Sequence, residues 1–315
     1  MTPLGEILRA EIERGGPIPF YRFMDAALYH PEHGYYRRAR DPFGKDGDFF
    51  TASQLQPVFG ILIASRIGSL YREMGEPSDF TVVELGPGRG EMAEFISARY
   101  IPLPLDAELP KSFRGVVFSN EFFDALPVHR VVWTGGEARE SLVSWRDDRF
   151  VWAAGDPVSP EIREYVERYF PASSERSSAE VNLDAVRWME RISRSLESGY
   201  VFTIDYGYTA MEARRFPDGT LMSYRRHASS EDVLADPGER DITSHVCFPA
   251  LEGRGLRTVR FETLANTLLA AGEADQFSAA LAGPDETRRR LQLKTLLFGM
   301  GETFRSLLQE KPRQK

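Results

Sequence analysis

The stretch TVVELGPGRGEMAEFI, residues 81–96, constrains the fold of this chain more than any other segment. Its apolar, β-branched start predicts a buried strand that ends at Glu84, and its end predicts a helix. Glycine lets a chain turn sharply and lets the backbone approach a ligand closely. Open α/β sheets bind ligands beyond the carboxyl ends of their strands, so the loop is a predicted binding site. Its alternating glycines are Gly86, Gly88 and Gly90.

Buried strands and helices alternate around this loop. Helices are predicted at residues 91–100 and from Leu183 to Gly199, where the glycine ends an apolar stripe. Such alternation indicates a parallel or mostly parallel sheet with helices on both faces, and therefore an α/β fold. The predicted strands are FTVVEL, IPLPLD, GVVFS and YVFTID, at residues 80–85, 101–106, 115–119 and 200–205.

The remaining segments look like additions to this core. Three short β runs between residues 130 and 155 predict an antiparallel meander, and Ser159-Pro160 predicts the start of a helix. We predict an α/β core at residues 76–128 and 183–261. The other predicted parts are a helical and aromatic N-terminal segment at 1–75, an inserted meander and helix at 129–182, and a helical tail at 262–315.

Composition narrows the classes of function. The 315 residues are 42% hydrophobic and 27% charged, which is enough for a sizeable core. A net charge of −8 argues against a broad basic surface for nucleic acid or an anionic membrane. Cys247 is the single cysteine, which excludes an intrachain disulfide and a four-cysteine zinc site.

The sequence also leads to a prediction about location. No apolar run approaches the ~18 residues of a membrane-spanning helix. The N-terminal stretch MTPLGEILRAEIERGG resembles neither a signal peptide nor a mitochondrial presequence, because its apolar part is short and it carries acids. We therefore predict a soluble, cytoplasmic protein with no membrane insertion and no nucleic-acid partner.

The glycine loop discriminates between ligands. A phosphate-binding P-loop would need a lysine that this loop lacks. In a dinucleotide fingerprint the third glycine would fall at Glu91, whose carboxylate would repel a pyrophosphate, so an NAD-dependent oxidoreductase is disfavoured. The pattern E-x-G-x-G-x-G from Glu84 suits S-adenosylmethionine, which has no phosphate and carries an ammonium group. A plain turn is the alternative.

A nucleoside also needs a partner for its ribose hydroxyls. In dinucleotide folds an acid about 20 residues after the loop serves this purpose. Asp106 lies sixteen positions after Gly90 and is the candidate, although two prolines weaken the predicted strand before it.

Several motifs together resemble one family. The chain is similar to the MidA (DUF185) family of class I methyltransferases, which includes a mitochondrial complex I assembly factor acting on a protein arginine. The resemblance implies a Rossmann-like core, S-adenosylmethionine as cofactor and a protein arginine as acceptor. The matching stretches are FMDAALYHPEHGYY, GDFFTA, ELGPGRG, SNEFFDALPVHR, IDYGY, DITSHVCFPAL and GMGETF.

The chain departs from the family pattern in three places. Ser53 and Gln54 replace a proline and a glutamate, and Cys247 replaces a favoured aspartate. Only 28 residues separate Gly90 from Ser119, where the family has a longer segment. A helix–strand unit is therefore predicted to be missing from the cofactor-binding half, with Asp106 standing in for its acid.

The motif SNEFFDALP lies where the resemblance places acceptor-side residues. Paired carboxylates can bind a guanidinium and localise its charge. Glu121 is predicted to clamp the acceptor, Asp124 to support it or accept a proton, and Asn120 to bind the cofactor. The alternative is a purely structural role, in which Asn120 or Asp124 caps a helix and the neighbouring phenylalanines belong to the core.

Other polar residues complete the predicted site. The resemblance implies that Asp48 and Thr51 close over the cofactor, and Asp205 at the end of a buried strand is predicted to orient the acceptor. No metal is predicted, because the spacing of His227, Asp241 and His245 fits no zinc pattern.

These observations predict an S-adenosylmethionine-dependent methyltransferase of a protein side chain, most simply arginine. A rival from another class is an assembly or binding factor that keeps the fold but has lost cofactor affinity. The short segment after the glycine loop is the feature that favours this rival.

Overall fold

The computed structural model describes residues 1–37, 56–170 and 176–313, which fold as two compact units. Each unit is built from three separate stretches of chain. The predicted division into core, insertion, N-terminal segment and tail remains a prediction. Unit 1 comprises Met1–Phe50, Phe123–Val186 and Tyr208–Ala250, and unit 2 comprises Thr51–Phe122, Arg187–Gly207 and Leu251–Lys315.

Helices and strands alternate through much of the described chain. The α-helices are α1 Pro3–Gly15, α2 Phe20–Tyr29, α3 Val58–Glu73, α4 Pro160–Tyr169, α5 Leu183–Ser195, α6 Phe248–Leu251, α7 Leu264–Glu273, α8 Ser278–Leu281 and α9 Glu286–Lys294. The strands are β1 Ile18–Pro19, β2 Phe80–Leu85, β3 Arg99–Leu103, β4 Phe113–Asn120, β5 His129–Thr134, β6 Glu137–Arg146, β7 Arg149–Pro157, β8 Ser178–Val181, β9 Leu196–Tyr208, β10 Met222–Arg225, β11 Ala228–Ser230, β12 Asp241–Thr243, β13 Val246–Cys247, β14 Arg257–Thr263 and β15 Phe304–Lys311.

Unit 2 is organised around one sheet in the order β14-β15-β9-β4-β2-β3. Strands β3, β2, β4 and β9 are parallel to one another, whereas β15 is antiparallel to both β9 and β14. Strand β2 is buried along its whole length, as a central strand covered on both faces should be. The α/β fold class predicted from the sequence is confirmed.

One face of this sheet packs against α3 and α7. The core there joins Phe59 and Ile63 of α3 and Leu268 of α7 to Phe118 and Phe202 of the sheet. Because Phe118 and Phe202 are paired in register on parallel strands, they lie on the same face. This packing holds the central strands rigidly below the glycine loop.

The helix predicted to reach Gly199 ends at Ser195, and strand β9 begins at Leu196. The glycine has a different purpose from the one predicted. A Cβ at Gly199 would lie 1.9 Å from the carbonyl oxygen of Gly115, and a Cβ at Gly115 would lie 1.9 Å from that of Thr81. These strands approach so closely at this level that only glycine fits, and Gly199 belongs to the sheet.

Two further segments differ from the sequence predictions. The helix predicted at residues 91–100 is a short 3-10 helix, Glu91–Phe95, followed by strand β3. The tail predicted as helical contains α7 to α9 and a π-helical segment, Thr295–Met300, but also strand β15. Strand β15 pairs with residues about 50 and 100 positions earlier, and such long-range pairing leaves little local signal.

Unit 1 contains two antiparallel sheets. One has the order β1-β6-β5-β8 with β7 also paired to β6, and the other has the order β11-β10-β12. Strands β5, β6 and β7 form the predicted meander. Helix α4 begins as predicted, because the Ser159 hydroxyl accepts a hydrogen bond from the backbone N–H of Ile162 at 3.3 Å.

Candidate cofactor and acceptor site

The candidate site lies at the carboxyl edge of the parallel strands of unit 2. Leu85 of β2 is paired with Ser119 of β4, which is paired with Thr203 of β9. The three strands therefore reach this edge at the same level. The glycine loop follows β2, and the SNEFFD motif follows β4 directly. The structure thus brings together the two strongest motifs of the sequence.

The glycine loop depends on backbone angles that other residues rarely adopt. The φ angles of Gly86, Gly88 and Gly90 are 59°, 55° and 78°. The N–H of Gly86 donates to the carbonyl of Leu103 at 3.0 Å, which ties the loop to β3. The N–H of Gly90 donates to the carbonyl of Pro87 at 2.7 Å. The loop is a defined turn with its exposed glycines at the sheet edge.

Phe122 packs against this loop. A Cβ added at Gly86 would lie 2.8 Å from Cδ2 of Phe122, so the first glycine is needed for this contact. Phe122 in turn meets Trp188 edge to face, with ring centroids 5.3 Å apart. Trp188 was not predicted as part of the site, because only the tertiary fold brings α5 to this position. The ring of Phe122 links the loop and the motif after β4.

Asn120 and Glu121 form an unusual turn at the end of β4. Glu121 has a φ of 51°, which is rare for a residue other than glycine. Its N–H donates to the carbonyl of Ile204 at 2.9 Å, and Nδ2 of Asn120 donates to Oε1 of Glu121 at 2.9 Å. The buried Oδ1 of Asn120 has no hydrogen-bond partner among the described residues. This turn places the amide of Asn120 and the carboxylate of Glu121 at the carboxyl edge of the sheet.

The helix-capping alternative for this motif is not supported. Residues 121–128 form bends and turns, and the chain continues into strand β5 without a helix. Neither Asn120 nor Asp124 therefore caps a helix.

Glu84 is the buried acid below the loop. It is 5% exposed, and the Tyr100 hydroxyl donates a hydrogen bond to its Oε2. Burial raises the pKa of Glu84 to about 7, the Tyr100 hydrogen bond lowers the pKa, and Glu91 raises it. Burial also raises the pKa of Tyr100, so Tyr100 remains a hydrogen-bond donor at neutral pH. Tyr100 was not predicted from the sequence.

Glu84 is expected to make stability depend on pH. Between its ordinary pKa of 4.5 and its folded pKa of about 7, the folded state holds a proton that the unfolded state has released. The free energy of unfolding should therefore fall as pH rises through this window, by roughly 3 kcal/mol in total. Urea unfolding at pH 4.5 and pH 7.5 measures this, and Glu84→Gln should lose that part of the pH dependence. Equal pH dependence in both proteins would contradict the raised pKa.

Asp205 occupies the same sheet on the neighbouring strand β9. It is fully buried, and its Oδ1 accepts a hydrogen bond from the N–H of Tyr206 at 2.9 Å. Asp205 is paired in register with Arg305 of β15. Its predicted role in orienting the acceptor stays a prediction.

Asp106 lies in an exposed turn after β3, which ends at Leu103 rather than at the acid. The turn is closed by the N–H of Ala107, which donates to the carbonyl of Pro104 at 3.0 Å. Proline at 104 removes a backbone donor, which explains why the strand stops earlier than predicted. Asp106 follows the parallel strand next to the glycine loop, as its predicted contact with ribose requires.

We expect Asp106→Ala to weaken binding of S-adenosylhomocysteine by roughly 10- to 150-fold, the loss of charge-assisted hydrogen bonds worth about 1.5–3 kcal/mol. Isothermal calorimetry measures this directly. Glu108→Ala, in the same exposed loop, is the matched control and should bind normally. An unchanged dissociation constant for Asp106→Ala would remove this residue from the site.

Asp124 belongs to unit 1, unlike the other described candidates. It is 5% exposed, and its backbone carbonyl accepts a hydrogen bond from the N–H of Ser244 at 3.0 Å. The pKa values of Tyr29 and Tyr36 are raised mainly by burial, then by Asp241, with Asp124 also contributing. Asp124 thus lies in a buried cluster of tyrosines and aspartates. The predicted residues Asp48 and Thr51 lie outside the described residues.

Residues 1–37, 56–170 and 176–313 contain no group of three or more histidine, cysteine or acidic side chains that could hold a metal ion. Of the histidines and acid weighed as ligands, Asp241 instead accepts a hydrogen bond from the Tyr36 hydroxyl at 3.0 Å. The His245 ring lies edge-on to Phe216, with ring centroids 4.9 Å apart.

The residues at the sheet edge fit S-adenosylmethionine. The glycine loop leaves its backbone open, and the buried Oδ1 of Asn120 offers an acceptor that no described residue satisfies. A sulfonium nucleoside with an ammonium group has the donors for such a site. A mostly parallel sheet with this loop and an acid-bearing turn defines the class of S-adenosylmethionine-dependent methyltransferases.

A family model described as "Putative S-adenosyl-L-methionine-dependent methyltransferase" matches residues 99–265 of the chain. The match covers more than half of the sequence. The chain belongs to this family.

Curated relatives extend the comparison. The protein arginine methyltransferase NDUFAF7 homolog of Drosophila melanogaster is 30% identical over 309 residues, covering 78% of this chain and 68% of the relative. The protein arginine methyltransferase NDUFAF7 of Rattus norvegicus is 26% identical over 318 residues, covering 80% and 69%. Both names describe mitochondrial proteins.

A solved structure matches nearly the whole chain. It is a protein of Burkholderia thailandensis bound to S-adenosyl-homocysteine, 28% identical, with a TM-score of 0.86 over 99% of this chain and 92% of that one. The predicted family, class I methyltransferase fold and cofactor are confirmed by these comparisons. The chain is a member of an S-adenosylmethionine-dependent enzyme family.

The predicted cytoplasmic location is wrong by the same comparisons, because the curated relatives are mitochondrial proteins. The prediction relied on the N-terminal stretch, whose acids and short apolar part are unlike a mitochondrial presequence. Within the described residues, no helix combines the length and apolarity that crossing a bilayer requires.

Proposed function

We propose that this chain methylates an arginine side chain of a protein. The support comes from relatives that are named protein arginine methyltransferases, one of them 30% identical. It also comes from a carboxylate, Glu121, at the end of the strand next to the glycine loop. When bound, S-adenosylmethionine supplies the methyl group through its sulfonium.

The cofactor-binding residues would be those of the carboxyl edge. The loop glycines leave room for the methionine end, and Asn120 offers its amide oxygen to an amine or adenine edge. Asp106 would accept hydrogen bonds from the ribose hydroxyls. Glu84, whose carboxyl group accepts a hydrogen bond from Tyr100, would be a further cofactor-binding residue.

Glu121 would bind the acceptor. An arginine guanidinium has a pKa above about 12 and must be oriented before it loses a proton. A carboxylate pairs with the planar fork and concentrates positive charge away from the attacking nitrogen. Asn120 holds the Glu121 carboxylate in place through its 2.9 Å hydrogen bond, which limits the freedom of this clamp.

Asp205 and Asp124 have supporting roles in this proposal. Asp205 would orient the acceptor from the neighbouring strand, and the role of Asp124 in supporting the acceptor or accepting its proton stays a prediction from the sequence. Phe122 and Trp188 would exclude water near the reacting atoms, which strengthens electrostatic interactions there.

The observation that carries the proposal is the left-handed turn at Glu121. This turn, with a φ of 51° at Glu121, places the carboxylate directly after the strand that neighbours the glycine-loop strand. Asn120 holds that carboxylate by the 2.9 Å hydrogen bond from its Nδ2 to Oε1 of Glu121.

A binding or assembly factor without catalysis is the second candidate. It is favoured by the short connection between Gly90 and β4, which holds only a 3-10 helix and the edge strand β3. Such a protein would keep the fold with a reduced cofactor pocket.

Two measurements separate these functions. Calorimetry with S-adenosylhomocysteine should give a dissociation constant in about the micromolar range for an enzyme, corresponding to roughly −8 kcal/mol. Incubation with isotope-labelled S-adenosylmethionine and arginine-containing proteins, followed by mass spectrometry, should place the label on arginine. Absence of binding at millimolar ligand would favour the assembly factor, and label on another residue would change the acceptor.

A further inference from the structure

A surface of unit 2 combines exposed apolar side chains with basic ones. We name it the α9 surface and define it by Arg288, Leu291 and Lys294 of α9 and Phe298 of the π-helical segment. Leu291 is 60% exposed and Phe298 is 77% exposed. Exposed apolar surface rimmed by polar residues is typical of interaction sites, and here two large apolar side chains lie seven positions apart on one helical run with basic residues beside them.

The charge of this surface is opposite to that of the whole chain. Helix α9 carries three arginines and one lysine against one acid, Glu286, while the chain as a whole has a net charge of −8. Arg290 forms an ion pair with Glu286 at 2.6 Å. The side chains of Arg288 and Lys294 have no acidic partner within the part of the chain that the structure describes.

The exposed side chains do not reflect a loosely attached helix. Leu296 of the π-helical segment is fully buried in the core with Leu264 and Leu268 of α7. The N–H of Ala265 donates to the carbonyl of Gly301 at 3.1 Å, which fixes the end of the segment. The inner side is therefore anchored, and the outer side is free to bind a partner. π-Helical turns occur frequently at functional sites.

Two connections place the α9 surface beside the candidate site. Nε2 of Gln292 donates to the carbonyl of Gln56, and Nε2 of Gln56 lies 4.0 Å from Sδ of Met92, two residues after Gly90. At the other end, the π-helical segment is followed by β15, whose Phe304 is paired with Tyr206. Helix α9 thus approaches the glycine loop, and the π-helical segment leads to the carboxyl end of β9.

We propose that the α9 surface docks the acceptor protein through a complementary patch of apolar and acidic side chains near the methylated residue. The inference rests on the proposed function, because only a protein acceptor needs a docking surface beside the site. Phe298 and Leu291 would anchor the apolar side chains, and Arg288 and Lys294 would pair with the acids. Aromatic anchors surrounded by charged residues are the usual arrangement of binding hot spots.

The test uses two fluorescent synthetic peptides and the full chain, with and without S-adenosylhomocysteine. Each peptide carries one arginine flanked by phenylalanine and leucine, and the peptides differ only in having acids or lysines at the remaining positions. Fluorescence anisotropy should show the acidic peptide binding at least about tenfold more tightly than the lysine peptide. Equal binding, or no binding of the acidic peptide at millimolar concentration, would overturn the proposal.

Variants assign the binding to named residues. Phe298→Ser should weaken binding of the acidic peptide at least about tenfold, as expected for an aromatic anchor. Met211→Ser, at an apolar residue that is 83% exposed in unit 1, is the control and should bind normally. Reversing charge with Arg288→Glu and Lys294→Glu together should shift the preference to the lysine peptide. Circular dichroism shows whether each variant is folded, and the charge reversal tests the proposal by a gain of binding.

Other occupants of the α9 surface would give different results in these experiments. Phe298-dependent binding to phosphatidylglycerol vesicles without peptide binding would overturn the proposal in favour of a membrane surface. A dimer in sedimentation that Phe298→Ser dissociates would assign the surface to a second copy. Methyl transfer to the peptide without any effect of Phe298 would overturn the docking but keep the proposed function. Phe298-dependent peptide binding without methyl transfer to the peptide would overturn the assignment of the surface to the acceptor protein, whereas the labelling experiment on arginine-containing proteins tests the proposed function by itself.

Discussion

Glu121→Gln is expected to lower the rate of methyl transfer by at least roughly 10²-fold, the usual effect of one positioned electrostatic or proton-handling group. Glutamine keeps the shape of the side chain and removes the charge that pairs with a guanidinium. The backbone turn at φ 51° and its hydrogen bond to Ile204 do not depend on that charge. Affinity for S-adenosylhomocysteine should therefore change by less than a few-fold.

The matched control is Glu94→Gln, the same substitution at an exposed position of unit 2 shortly after the glycine loop. It should leave both the rate and the affinity unchanged. A purely structural role for Glu121 gives another result, a lower melting temperature with near-normal turnover. Simultaneous loss of cofactor binding and rate would move Glu121 to the cofactor side of the site.

Gly88→Val is expected to abolish measurable binding of S-adenosylhomocysteine while the unit remains folded. Gly88 is exposed at a φ of 55°, so valine adds both backbone strain and a branched side chain at the position proposed for the ligand. The strain alone costs about 1–2 kcal/mol. Calorimetry measures binding, and circular dichroism with a melting curve measures the fold.

Strain and steric exclusion can be separated by a second glycine. Gly135 in the β5–β6 turn of unit 1 has a φ of 61°, and a Cβ there meets nothing within 4 Å. Gly135→Val should therefore show a similar loss of stability and normal ligand binding. Equal affinity of Gly88→Val and the unchanged protein would mean that the glycine loop is not the cofactor site.

The sequence predicted the centre of the sheet well, because each central strand is a continuous buried run. Strand β2, the glycine loop and strand β4 follow from periodicity and turn chemistry alone. The antiparallel meander also follows, since its strands alternate and its turns carry glycine or aspartate. Local patterns suffice where the structure is determined by neighbours in sequence.

Prediction was weaker where distant residues decide the structure. Strand β15 pairs with β9 and β14, and nothing in FRSLLQEK distinguishes it from a helix. Gly199 reads as a helix end because its close contact with Gly115 is visible only in the folded sheet. The hydrogen bond from Tyr100 to Glu84 and the contact of Phe122 with Trp188 have the same origin.

The candidate site shows the same division. Its chemical type followed from the loop and the acid after β4, since those residues are adjacent in sequence to the strands that position them. Asp106 was harder to assign from the sequence. It follows a short, proline-containing strand that ends three residues before it. The assignment of Asp124 to unit 1 was not foreseen either.

The position of β15 has a consequence for synthesis of the protein. This strand lies between β9 and β14, both of which leave the ribosome earlier. Until β15 has emerged, β9 and β14 cannot be joined, and residues 199–206 of β9 lack their partner strand on that side of the nascent sheet. Unit 2 therefore closes its sheet late in synthesis, and this stretch of β9 is open to pairing with other strands during that interval.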